Sequence, residues 1–116
     1  MKVIIAGGRN FENYQLLKFK CDEILKNIVV EEIVSGKATG ADTLGERYAK
    51  ERGYRVNPFQ ADWDKYGKSA GYKRNEAMAN YADCLIAFWD GKSKGTGHMI
   101  DLARAKKIPI RIIKYA

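Results

Sequence analysis

Apolar residues recur along this chain in two rhythms. Short runs such as Val3-Ile4-Ile5-Ala6, Ile33-Val34 and Cys84-Leu85-Ile86-Ala87-Phe88 are unbroken, and their length and β-branched content fit buried strands. These runs predict strands over residues 2–6, 31–35, 54–58, 83–89 and 110–114. Between them the apolar positions return every three or four residues. Leu17, Cys21, Ile24, Leu25 and Ile28 share one face and predict a helix over 12–28. Ala41, Leu44, Gly45, Tyr48 and Ala49 do the same over 41–52, with Gly53 placed to close that helix. Further helices are expected over 69–81, with Arg74, Ala77, Met78 and Tyr81 facing inward, and over 96–106, with Met99, Ile100 and Ala103 inward. Residues 59–68 follow neither rhythm and read as irregular chain or a short helical turn.

Strands that alternate with helices imply a parallel sheet covered on both faces, a three-layer α/β/α sandwich. Right-handed crossovers and one reversal after the third strand give five strands in spatial order 3-2-1-4-5. With 116 residues and no linker or repeat, we expect a single domain over residues 1–116. The order matters because it sets the first and fourth strands side by side. The loops that leave them then flank a crevice at the carboxyl edge of the sheet, where ligands bind in open α/β folds.

Composition narrows the partner. Lysine and arginine number 21 against 14 aspartates and glutamates, a formal charge of +7. Residues 61–116 carry eleven basic and six acidic side chains, so +5 of the total lies there. That balance favours an anionic partner, a phosphorylated small molecule or a nucleic acid. The apolar runs are too short to span a membrane, so no membrane partner is expected. The first residues enter a strand without a signal-peptide pattern, and Cys21 and Cys84 fall at apolar positions that suit reduced, buried thiols. A cytoplasmic protein is the expectation.

Each strand ends in a loop with candidate chemistry. After the first, Gly7 and Gly8 let backbone approach a ligand, Arg9 offers a two-pronged cation for phosphate, and Asn10 is a plausible helix cap. After the second, Ser35, Gly36, Thr39, Gly40 and Asp42 suit phosphate or ribose hydroxyls, although Asp42 equally suits a helix cap. After the third come Asp62 and Trp63. Trp63 and Tyr66 either stack on a base or cover the core. After the fourth, Asp90, Gly91, Lys92, Ser93, Lys94, Gly95, Thr96 and Gly97 gather three glycines, two hydroxyls and two lysines at a strand-to-helix junction, a nest of N–H groups for an anion. Arg74 shares its helical face with Met78 and Tyr81, so it points inward and needs a carboxylate or a ligand phosphate, with Asn75 beside it. The segment 35–42 lacks the ending of a P-loop, and no cofactor motif is present. His98 is the only histidine, expected partly exposed on the first turn of the last helix. It has no neighbouring ligand pattern, so no metal site is expected.

The segments Ile5-Ala6-Gly7-Gly8-Arg9-Asn10-Phe11, Val34 to Asp42, Ala61 to Gly67, Ala70 to Met78 and Trp89 to Thr96 together resemble the SLOG superfamily, the Rossmann-like group that joins Smf/DprA-type proteins with the "lonely guy" phosphoribohydrolases. The closer resemblance is to the small, stand-alone YspA-like SLOG proteins of bacteria and phages. It implies a Rossmann-like sheet that binds a nucleotide or nucleotide-derived ligand, an ADP-ribose-like derivative among the candidates. The ligand would lie on Gly7, Gly8, Arg9, Ser35, Gly36, Gly40, Asp42, Asp62, Trp63, Arg74, Asn75, Asp90, Gly91, Ser93, Gly95 and Thr96. The phosphoribohydrolase relatives carry a catalytic glutamate in a glycine-rich motif. Gly95-Thr96 matches that motif, but Met99 stands where the glutamate falls, and a thioether neither accepts a proton nor stabilises an oxocarbenium-like centre. A sensor or sequestering protein is therefore the leading expectation. N-glycosidic cleavage of a nucleoside monophosphate, with Asp62 or Asp90 replacing the glutamate, is the second. A single-stranded-DNA module is the third. Self-association as a homodimer is expected by the same resemblance.

Overall fold

The computed structural model describes residues 1–115. In chain order the elements are β1 (Lys2–Gly7), α1 (Tyr14–Leu25), β2 (Glu32–Ser35), α2 (Ala41–Arg52), β3 (Arg55–Pro58), α3 (Trp63–Tyr66), a 3-10 turn (Gly67–Ser69), α4 (Ala70–Tyr81), β4 (Cys84–Trp89), α5 (Lys94–Ala105) and β5 (Ile110–Lys114). The five strands form one parallel sheet in the order β3-β2-β1-β4-β5. The α/β architecture and strand order are those the sequence pattern predicts.

Alternate side chains of a strand point to opposite faces, and β1 divides its residues between two cores accordingly. Val3 and Ile5 join Ile33, Ile86 and Phe88 beneath Leu17, Cys21 and Tyr48 of α1 and α2. Ile4 and Ala6 join Val34, Leu85 and Ala87 beneath Met78, Met99 and Ile100 of α4 and α5. On the first face, Asp22 of α1 accepts hydrogen bonds from Tyr48 Oη at 2.6 Å and Arg52 Nε at 2.9 Å, both from α2. Cys21 and Cys84 are buried free thiols. Burial pushes the Cys21 thiol up to about 12, which removes it as a nucleophile at neutral pH. Among the described residues no helix is long and apolar enough to cross a membrane.

Three local readings change. α1 starts at Tyr14, capped by Asn13, whose side chain accepts from Leu16 N at 3.0 Å; Asn10 is not its cap. The delay arises because Phe11 leaves the loop for the core, stacking on Phe88 with ring centroids 5.1 Å apart. α1 ends at Leu25, with Ile28 beyond it and half-buried. On α4, Ala77 is exposed and the buried residues are Ala70, Asn75, Met78 and Ala79. A polar Asn75 hides this face from a hydropathy pattern; its burial is satisfied by a bond from Nδ2 to Gly95 O at 3.2 Å. Finally, α5 starts at Lys94, two residues before the expected position, so His98 lies in its second turn and is half-buried.

Candidate functional site

The loop after β1 is fastened to its neighbours by backbone. Gly7 pairs with Phe88 in the sheet, and a Cβ on Gly7 would overlap the Phe88 carbonyl oxygen and sit 2.8 Å from Ala41 Cβ. Gly8 N donates to Phe88 O at 3.1 Å, while Gly8 O accepts from Phe11 N and from Ala41 N, each at 3.2 Å. Gly40, with φ at +74°, lies against the Gly8 and Arg9 carbonyls so closely that no side chain fits. The β1 loop thus lies over the first turn of α2. Tyr115, just past β5, supports it from outside: its ring packs on Phe11 with centroids 4.7 Å apart, and its hydroxyl donates to Asn10 Oδ1 at 3.3 Å.

Asp42 and Arg74 both approach Gly36. Asp42 is 6% exposed. Its Oδ2 accepts from Ala38 N at 3.1 Å. A Cβ on Gly36 would stand 2.9 Å from Asp42 Oδ2 and 3.1 Å from Arg74 Cδ and Nη1, so glycine is what lets the two side chains close in. Arg74 donates from Nη1 to Gly36 O at 2.6 Å and from Nε to Asn75 Oδ1 at 3.0 Å. Burial is the largest influence on both charged groups. It pushes the Asp42 carboxyl up to about 6, against the pull of Ala38 N–H, Arg74 and Arg9. It lowers the Arg74 pKa, with Asp42 acting in the opposite sense. Neither charge is fully compensated by the protein, and a guanidinium has five N–H donors, so Arg74 keeps donors for an anion.

The raised Asp42 value has a consequence for stability. The folded protein binds this proton more tightly than the unfolded chain, so the contribution is present in full below about pH 4 and is lost as pH rises through about 6. Asp42→Asn should therefore be more stable than the parent at pH 7 to 8, by on the order of 3 kcal/mol, and should show no advantage at pH 4. Urea denaturation at the two pH values checks this; an equal loss of stability at both would show that the carboxylate is held without cost.

The loop after β4 is shaped by its own aspartate. Asp90 Oδ1 accepts from Lys92 N and Ser93 N, both at 2.8 Å, and Oδ2 accepts from Ser93 Oγ at 3.2 Å. Those backbone N–H groups hold its carboxyl below the usual range. Gly91 takes φ at +84° to complete the turn. Ser93 Oγ is turned toward Asp90, and α5 begins with no side-chain cap. The free N–H groups and dipole of a helix start attract anions. They open onto a cavity of about 420 Å³ between the β1 loop, α2, α4 and α5.

Nine of the sixteen candidate residues line this cavity: Gly7, Gly8 and Arg9 on one side, Asp42, Arg74 and Asn75 across from them, and Ser93, Gly95 and Thr96 at the helix start. The other seven do not. Ser35 is buried and donates to Glu46 Oε2 at 2.6 Å, an internal role. Gly36 and Gly40 are spacers behind the wall, and Asp90 and Gly91 shape the loop. Asp62 caps α3 by accepting from Lys65 N at 3.1 Å. Trp63 is 51% exposed and belongs to neither core cluster; its ring edge and Arg74 Nη2 each come within 3.6 Å of where a Cβ on Gly71 would stand. Lys94, Asn10, Ala38, Ala6, Met78 and Met99 also line the cavity. Lys94 was legible as part of a basic loop; Met78 and Met99 read as core, and they are both core and cavity floor. Asp42 is the one acidic side chain among the lining residues.

Residues 1–66 match the family described as YspA, cpYpsA-related SLOG family. The chain is 34% identical over 116 residues to "Gene 61 protein" of Mycobacterium phage D29, an alignment that spans 94% of this chain and 93% of that protein. No solved structure matches.

Proposed function

The chain belongs to the YspA, cpYpsA-related SLOG family, and we propose that it binds a phosphorylated nucleoside or a nucleotide derivative of the ADP-ribose type in the crevice between β1 and β4, as a sensor or sequestering protein. Family membership points to a nucleotide-related ligand. The observation that carries the reading further is the uncapped start of α5, which bears Lys94 on its first turn and shares a cavity of ligand size with Arg9 and Arg74. In this reading the phosphate takes the N–H groups of Gly95 and Thr96 and the three cations. Gly7 and Gly8 allow close approach of the backbone. Asp42, through its free Oδ1, accepts from ribose hydroxyls.

Asp42, the one carboxylate lining the cavity, is assigned to ribose hydroxyls in this reading, so the choice between binding and catalysis turns on the other carboxylates. Asp62 and Asp90, the aspartates considered as substitutes for a catalytic glutamate, are engaged in capping outside the cavity. Met99 is 1% exposed. Binding without turnover is the better reading. Thermal-shift measurements with nucleoside mono- and diphosphates and ADP-ribose should raise Tm by several degrees for at least one of them. Folded protein that shifts with none would count decisively against the proposal. Release of free base from a nucleoside monophosphate during long incubation would replace it with the hydrolase.

A nucleic-acid reading has one observation of its own. Trp63, Tyr66 and Tyr72 are exposed at 51%, 40% and 47%, and Lys65 and Lys73 stand over the Tyr66 ring. Exposed aromatics among lysines suit single-stranded nucleic acid. Binding of an oligothymidine that weakens steeply with salt would favour it; no binding at low salt would remove it.

A further inference from the structure

Beside the crevice lies a second, more open cavity of about 390 Å³, on the outward side of α5. Ser93 and Lys94 line both, so one ligand can pass over that corner from one to the other. A row of contacts gives their order. Arg74 bonds Gly36 and Asn75. Asn75 Nδ2 then lies 3.3 Å from His98 Nδ1, and the His98 ring meets Tyr72 edge-on with centroids 4.5 Å apart. Asp42 stands at one end of this row and Tyr72 at the other, with the start of α5 between them.

The walls of the second cavity differ in kind. Tyr72, Trp89 and His98 are aromatic, Lys92 and Arg104 are basic, and Asp101 adds a carboxylate. Trp89 is pinned rather than loose: its Nε1 donates to Ser93 O at 3.1 Å. The glycine at 97 leaves room for the ring, since a Cβ there would already stand 3.4 Å from Trp89 Cζ2. Tyr72 is 47% exposed, so a free ring face is available for stacking. Aromatic faces with a few polar groups at the edge recognise planar, heteroaromatic molecules. From the start of α5 to Asp101 the helix rises ~10 Å, so the two cavities together suit an extended ligand.

We infer that this second cavity is the nucleobase subsite: the ligand runs from a ribose at Asp42, across a diphosphate at the start of α5, to a base held among Tyr72, Trp89 and His98. The inference rests on the function proposed above and deepens it. It makes the ligand two-ended, and it gives base stacking, one of the two roles the sequence left open for Trp63 and Tyr66, to Tyr72 and Trp89.

The test compares ADP-ribose with ribose 5-phosphate by isothermal titration, since the second probe lacks the nucleoside end and its phosphate. ADP-ribose should bind at least tenfold tighter. Tyr72→Ala should remove most of that advantage, the part not owed to the second phosphate, while changing ribose 5-phosphate affinity by less than twofold. As a second readout, Trp63→Phe leaves Trp89 as the sole tryptophan, and its fluorescence should change with ADP-ribose and not with ribose 5-phosphate. Equal affinity for the two probes, or an advantage that survives Tyr72→Ala in full with Trp89 emission unmoved, overturns the subsite and leaves the phosphate crevice standing. Failure of both probes to bind the folded parent overturns the crevice reading as well.

Discussion

Replacing Arg74 by alanine should weaken binding of a phosphorylated ligand by about 100-fold, the scale of a lost charge-assisted, two-pronged contact in a partly desolvated site. Arg74→Lys should recover only part of that loss, because an ammonium keeps the charge but not the planar fork that spans Gly36 O, Asn75 Oδ1 and the cavity. The same variant carries an internal control. Without the guanidinium, Asp42 loses one of the groups that favour its ionised form, so Arg74→Ala should be destabilised more at pH 8 than at pH 5. Titration calorimetry and denaturation at the two pH values test both parts. An affinity within twofold of the parent would mean that the phosphate does not approach α4, and the proposed crevice would have to be abandoned.

The second large effect concerns folding. Gly40→Ala should cost about 3–5 kcal/mol, or leave too little folded protein to measure. Gly40 has φ at +74° and ψ at −126°, a conformation that disfavours any side chain. An added Cβ would also collide with the Gly8 carbonyl, which is backbone and already bonded to Phe11 and Ala41. The comparison is Gly53→Ala, where φ is +76° but no atom lies within 4 Å of an added Cβ. That change should cost only about 1 kcal/mol. Urea midpoints compare a crowded glycine-only conformation with an open left-handed one, where ψ is +22°; equal costs would show that the β1 loop yields freely.

The strand order and the helix faces on the α1 and α2 side were legible because burial there follows simple periods. Leu17, Cys21, Tyr48 and Ala49 are apolar and buried, as their spacing demands. The pattern failed where a polar residue is buried for its hydrogen bonds. Asn75 turned the predicted face of α4, and Ser35 read as a ligand group although Glu46 consumes its hydroxyl. Asp42 was ambiguous between cap and ligand. Its sequence position near a helix start is shared by both roles, and only the course of the chain through Gly36 and Ala38 brings it beside Arg74. Asp62 and Asp90 illustrate the opposite limit. An aspartate two or three residues before a turn is a local cap as readily as a site residue, and sequence spacing does not separate the two.

Tyr115 packs against the loop that leaves the first strand, although more than a hundred residues separate them in sequence. β5 is an edge strand, held in the sheet by β4 alone. The β1 loop, one wall of the proposed crevice, therefore keeps this support only while that edge stays paired, and fraying of β5 loosens a wall it does not itself form.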